Sequence, residues 1–164
     1  MLIPACVMLS SPLYTASTCG TPLSFAPVIH GFNAVTFPTV FSSYPTFLAV
    51  AQAFEDTGVR AYKGQAPALM GSPGVLQTAL QIHSVEARHA SEVRRLRGLK
   101  GWISNSERGT GMPPATQAVY DGEGVTVQAG FNTSAAFGPA AGSEAYDEPL
   151  TTQQVVDIAN LFIV

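Results

Sequence analysis

Two stretches, Tyr44 to about Lys63 and Pro73 to about Arg97, repeat apolar residues at spacings of three and four, and no other part of the chain sustains that pattern as long. One-sided stripes of this kind predict amphipathic helices. Two long helices joined by a short link must lie side by side and antiparallel. In the first, Ser43 is the expected N-cap, Pro45 suits the first turn, and Gly64 is the expected terminator. Its stripe reads Phe47, Leu48, Ala51, Phe54, Val59 and Tyr62. In the second, Ser72 and Gly98 bracket a stripe of Leu76, Ala79, Ile82, Val85, Ala90, Val93 and Leu96. Gln77, Gln81, Ser84, Arg88, Ser91 and Arg95 mark its wet side.

The stripes are not wholly apolar. Glu55 interrupts the first between Ala51 and Val59, and Glu86 and His89 stand on the row Ile82, Glu86, His89, Val93 of the second. A carboxylate on a core-facing row is costly unless it is paired or binds a metal. Glu86-Ala-Arg-His89 is a Glu-x-x-His pair, whose members share a helix face and can converge on one ion. Bundles with carboxylate-bridged metal sites use such a pair on two helices and a single Glu on each of the other two. A buried Glu–His ion pair accounts for the same spacing without metal, and both readings stand at this point. His83, one turn back, and Tyr62, on the Glu55 stripe, are candidates for supporting groups around the ligands.

The segment Phe47-Leu-Ala-Val-Ala-Gln-Ala-Phe-Glu-Asp-Thr-Gly-Val-Arg-Ala-Tyr-Lys-Gly64 resembles the third bundle helix of bacterial and fungal ferritin-like domain proteins, often described alongside desiccation- and stress-related proteins. Val85-Glu-Ala-Arg-His-Ala90, followed by Arg94, resembles the fourth. Tyr146-Asp-Glu-Pro-Leu-Thr151 and the closing Val-Val-Asp-Ile-Ala-Asn-Leu-Phe-Ile163 are similar to that family's tail. The resemblance implies half of a four-helix bundle with Glu55, Glu86 and His89 as ligands to iron or manganese, and Asp56 pointing away from them. It also implies a location outside the cytoplasm. Family members begin with two further helices bearing one Glu and another Glu-x-x-His, whereas residues 1–54 here contain no Asp, Glu, Lys or Arg. A homodimer that rebuilds the bundle, a fragment of a longer protein, and a metal-free descendant all remain open. The expected function is accordingly a di-metal carboxylate protein of metal handling or oxidative stress. The alternative from another class is a non-catalytic stress or cell-envelope protein.

The expected organisation is an extended Pro/Ser/Thr-rich segment over 1–42, a helical hairpin over 43–100 and an irregular extension over 101–164. Prolines at 4, 12, 22, 27 and 38 exclude a long helix from the first part. Val125 to Gln128 predicts a short strand, and Thr151 with Gln154 has the spacing of a capping box opening a terminal helix. Only 12% of the 164 residues are charged and the formal net charge is −3, so there is no case for nucleic acid. Arg94, Arg95, Arg97 and Lys100 are expected as cations at a helix C-terminus. Cys6 and Cys19 are too few for a disulfide framework or a zinc cluster. The opening apolar run has no positive n-region and is too short to span a bilayer. No Gly-x-Ser-x-Gly elbow or phosphate loop is present, and Asn132-Thr133-Ser134 matches a glycosylation acceptor.

Overall fold

The computed structural model describes residue 33 and residues 35–163, and it is mainly helical around a hairpin of two long helices. Helix α1 (Tyr44–Gln65) has 22 residues and α2 (Pro73–Leu96) has 24. They run antiparallel: Gly58 of α1 lies against Glu86, Asp56 reaches Arg94, and Gln52 reaches Arg97. The paired helices expected as half of a four-helix bundle are therefore present. Ser43 caps α1 by accepting from the Thr46 amide, whereas the Ser72 side chain makes no cap bond on α2. Gly98, at a φ of 73°, lies just beyond α2 as expected of a terminator.

Gly64 does not end α1. The helix continues through Gln65 into a 3-10 turn at Ala66–Leu69, and Gly64 instead admits the chain that crosses it. A Cβ at this position would lie 1.8 Å from the Leu150 carbonyl oxygen. The glycine thus serves a tertiary contact, which local propensity does not reveal.

After α2 the chain forms a 3-10 turn at Pro114–Val119, then strands β1 (Val127–Gln128) and β2 (Phe131–Asn132), paired antiparallel with Val127 opposite Asn132. The expected strand at 125–128 is therefore shorter, and its partner follows at once. Short helices α3 (Thr133–Phe137) and α4 (Pro139–Ser143) precede α5 (Thr152–Phe162), which opens with the anticipated Thr151–Gln154 capping box.

The hydrophobic core lies between α1 and this extension. Val50 and Ala53 of α1 meet Val119, Tyr120, Leu150, Ile158 and Phe162, with Phe37 and Val40 closing one end. Phe37 stacks on Phe162 at 5.0 Å, and Phe54 meets the other side of that ring at 4.6 Å. Of the expected extended N-terminal segment, residues 35–42 form turns, while Cys6, Cys19 and His30 lie outside the described residues.

Arg60 is the main polar tie between α1 and the extension. Its Nε bonds the Glu148 carbonyl at 2.8 Å and Glu123 at 2.5 Å, its Nη1 donates to the Val119 carbonyl and its Nη2 to that of Asp121 at 3.0 Å. A buried guanidinium with every side occupied avoids the penalty of an unpaired charge. Among the described residues, no helix is long and apolar enough to cross a membrane.

Candidate metal centre

Glu55 sits mid-way along α1, and Glu86 and His89 sit on the facing side of α2. One ligand atom from each lies within 4.8 Å of the other two. Gly58, one turn after Glu55, faces Glu86 closely: a Cβ there would make van der Waals contact with the Glu86 side chain at 3.4 Å. Glu86 is buried at 4% exposure, while the Glu55 and His89 side chains are 15% and 39% exposed. The triad is thus closed on the α2 side and open on the other. His89 Nδ1 and Glu55 Oε2 are 3.2 Å apart and share a hydrogen bond, whichever carries the proton.

Burial raises the Glu55 carboxyl to about 8, helped by a hydrogen bond to Glu86, by the charge of Glu86 and by that of Asp56. Two carboxyls crowded in a half-buried site hold a proton between them unless a cation replaces it. Two hard carboxylate oxygens and one imidazole nitrogen form a donor set that suits iron, manganese or zinc rather than copper(I) or calcium. The residues present therefore fit a divalent transition metal.

Asp56 turns away from the triad as expected, and it is fully engaged. It accepts from Arg94 at 2.5 Å and from the Tyr120 hydroxyl at 2.8 Å, with Gln52 donating to the Tyr120 oxygen at 3.0 Å. Burial raises its carboxyl, against the pull of Arg94 and these hydrogen bonds. The Arg94 guanidinium also lies 5.6 Å from the Tyr120 ring centroid. The basic cluster does stand at the end of α2, with Arg94 and Arg95 in its last turn, but its members are also held by specific partners. Arg94 is buried as the partner of Asp56, Arg97 bonds Gln52 and the Thr110 carbonyl, and Lys100 pairs with Glu144 at 2.7 Å. Of the four, Arg95 and Lys100 are exposed, as that reading implies. These ties set the rotation of α1 that turns Glu55 toward Glu86.

His83 stands one turn before Glu86. Its Nε2 is buried without a hydrogen-bond partner among the described residues, and burial and the Lys63 charge lower its pKa while Asp147 raises it. Its charged neighbours are thus Lys63, at the far end of α1, and Asp147 of the extension. Tyr62 is half-buried on α1, one turn beyond Gly58. Gln52, Arg60, Tyr120 and Glu123 did not stand out in the sequence. The only local signal was a Gln and an Arg among the buried positions of α1, which by itself reads as its wet side.

With this geometry in view, the comparison with known families is specific. Residues 20–99 match the family model of the ferritin-like domain. That range contains both long helices and all of Glu55, Glu86 and His89. Ferritin-like domains are in general di-metal carboxylate folds, and the matched range contains the cluster of Glu55, Glu86 and His89. The match begins upstream of α1 and does not reach the tail over 145–164, where a resemblance was also expected. No curated protein and no solved structure matches the chain.

Proposed function

We propose that the chain binds a divalent transition metal, iron or manganese, through Glu55, Glu86 and His89, and that it serves metal handling or oxidative defence as a ferritin-like protein of the desiccation- and stress-related kind. The convergence of three donors from two neighbouring helices, inside the range matched to the ferritin-like domain, carries the reading. Bound iron or manganese supplies redox chemistry toward dioxygen or peroxide. Glu86, fixed by burial, would be one carboxylate ligand. Glu55 exchanges its shared proton for the metal, so metal and proton compete for the same oxygens. His89 would supply the imidazole nitrogen, in place of its hydrogen bond to Glu55. His83 and Tyr62 flank the ligands along the two helices and support their orientation.

The direct contact between His89 and Glu55 favours one rival, a metal-free ion pair that merely ties the hairpin. Equilibrium dialysis of the full chain against Mn2+, followed by elemental analysis, separates the two. We expect about one bound ion per triad and loss of that ion in Glu86→Ala and His89→Ala. A chain that takes up no Mn2+ at millimolar concentration, yet is as stable as ever, would leave the ion pair as the role.

A further inference from the structure

Asp121-Gly122 is the one place in the sequence where an Asp or Asn is followed by Gly. A following glycine leaves the next backbone nitrogen without side-chain cover, so that nitrogen can reach the Asp carboxyl. Asp56, Asp147 and Asp157 are followed instead by Thr57, Glu148 and Ile158.

The fold leaves this nitrogen unengaged. Asp121 and Gly122 are exposed in the turn from Tyr120 to Glu123, which is closed by the Glu123 amide donating to the Tyr120 carbonyl at 3.2 Å. The Asp121 amide donates to the Gln117 carbonyl at 3.1 Å, whereas the Gly122 amide donates no hydrogen bond among the described residues. Gly122 has a φ of 87°, which a side chain would strain, so the turn itself requires the glycine.

Arg60 lies over the same peptide bond. Its Nη2 donates to the Asp121 carbonyl at 3.0 Å, and a Cβ on Gly122 would lie 3.8 Å from that nitrogen. A cation that draws electron density through the carbonyl and stands near the amide favours loss of the N–H proton. The Asp121 carboxyl is held beside it by Gln117, whose Nε2 donates to Oδ1 at 3.1 Å.

We propose that Asp121 converts spontaneously to isoaspartate through a succinimide, and that the conversion loosens the Arg60 tie between α1 and the extension. The Gly122 nitrogen loses its proton and forms a bond to Asp121 Cγ. The C–OH bond of the protonated carboxyl breaks, and its oxygen leaves as water. Water then adds to the ring at the former main-chain carbonyl, and the bond from that carbon to the Gly122 nitrogen breaks. The main chain now runs through Cβ and Cγ and is one carbon longer. The carbonyl that Arg60 Nη2 held becomes a free carboxylate on a displaced backbone, and Glu123, two residues on, moves with it. Water is the sole co-reactant, and the metal centre takes no part.

Ageing the full chain for weeks at neutral pH and physiological temperature is the test. Peptide mapping with electron-transfer fragmentation should place isoaspartate at residue 121, with a precursor lighter by one water. Protein isoaspartyl methyltransferase should label the aged chain and not the fresh one. Asp121→Glu, whose longer side chain closes the ring far more slowly, should gain no label and keep its starting Tm. The isoaspartate-containing fraction should melt several degrees below the fresh protein, the order expected when a buried cation loses hydrogen-bond partners. Isoaspartate that forms only in urea overturns the proposal, since the fold then protects the bond. So does label that maps to Asn105 and not to residue 121. An aged fraction modified at residue 121 with an unchanged Tm overturns the link to Arg60.

Discussion

At Glu55, one side chain has two occupants for one place. Its carboxyl is raised to about 8 from an ordinary value of 4.5, chiefly by burial and then by Glu86. At neutral pH an incoming ion must therefore displace a proton. Manganese affinity should rise about tenfold per pH unit between pH 6 and 8 and flatten above 8. Titrations by calorimetry at pH 6, 7 and 8 would show it, and a flat profile would mean that Glu55 is not a ligand. Two glycines of α1 also act at this scale. Gly58 lies against Glu86, and Gly64 leaves room for the Leu150 carbonyl. Gly64→Ala should destabilise the protein by roughly 1–3 kcal/mol despite the better helix propensity of alanine, because backbone must move. Chemical denaturation reads the sign directly: propensity alone predicts a gain.

At the scale of elements, the question is what holds α1 and α2 in the rotation that makes a site. Apolar burial is thin between them, since several residues of the α2 stripe are solvent-facing. The chain of buried Arg94, Asp56, Tyr120 and Gln52, ending on half-buried Arg97, supplies direction instead. Removing one member strands the rest. Asp56→Ala should cost roughly 3–5 kcal/mol, since it leaves Arg94 charged and buried without its partner. That corresponds to a fall in Tm on the order of 10 °C. Asp56→Ala with Arg94→Met should recover much of the loss. A double variant no more stable than Asp56→Ala would show that the pair is not the tie described. The element ends were legible in Ser43, Gly98 and the Thr151–Gln154 box, where the cap residue itself carries the chemistry. The end at Gly64 was misread because its reason lies far along the chain.

For the whole molecule, the extension and the hairpin share one core, and their junction contains an ionisable group. Burial raises Glu123 to about 7, more than the pull of Arg60 lowers it, and raises Glu55 to about 8. Both carboxyls therefore hold protons in the folded chain that the unfolded chain has already released. Between about pH 4.5 and 8 the folded state binds more protons, so stability falls as pH rises through that window. Without metal, Tm should be lower at pH 8 than at pH 5.5, and Mn2+ should restore it at pH 8 by replacing the proton at the triad. A Tm that rises across this range in EDTA would show that these carboxyls ionise freely in the folded protein.

Residue order alone determined the two long helices, their antiparallel pairing and the ligand candidates Glu55, Glu86 and His89, because helical periodicity is a local property and a carboxylate on an apolar row is conspicuous. It also marked Asp56 as pointing elsewhere. Only the tertiary structure decided which side of the hairpin the extension covers, and so which side the triad opens to. It alone showed that Arg94 at the helix end is the buried partner of Asp56 and Arg97 the half-buried partner of Gln52, and it brought Arg60 together with Val119, Asp121 and Glu123 across some sixty residues. Burial is a property of what packs on a residue, and for these groups the covering chain comes from distant sequence.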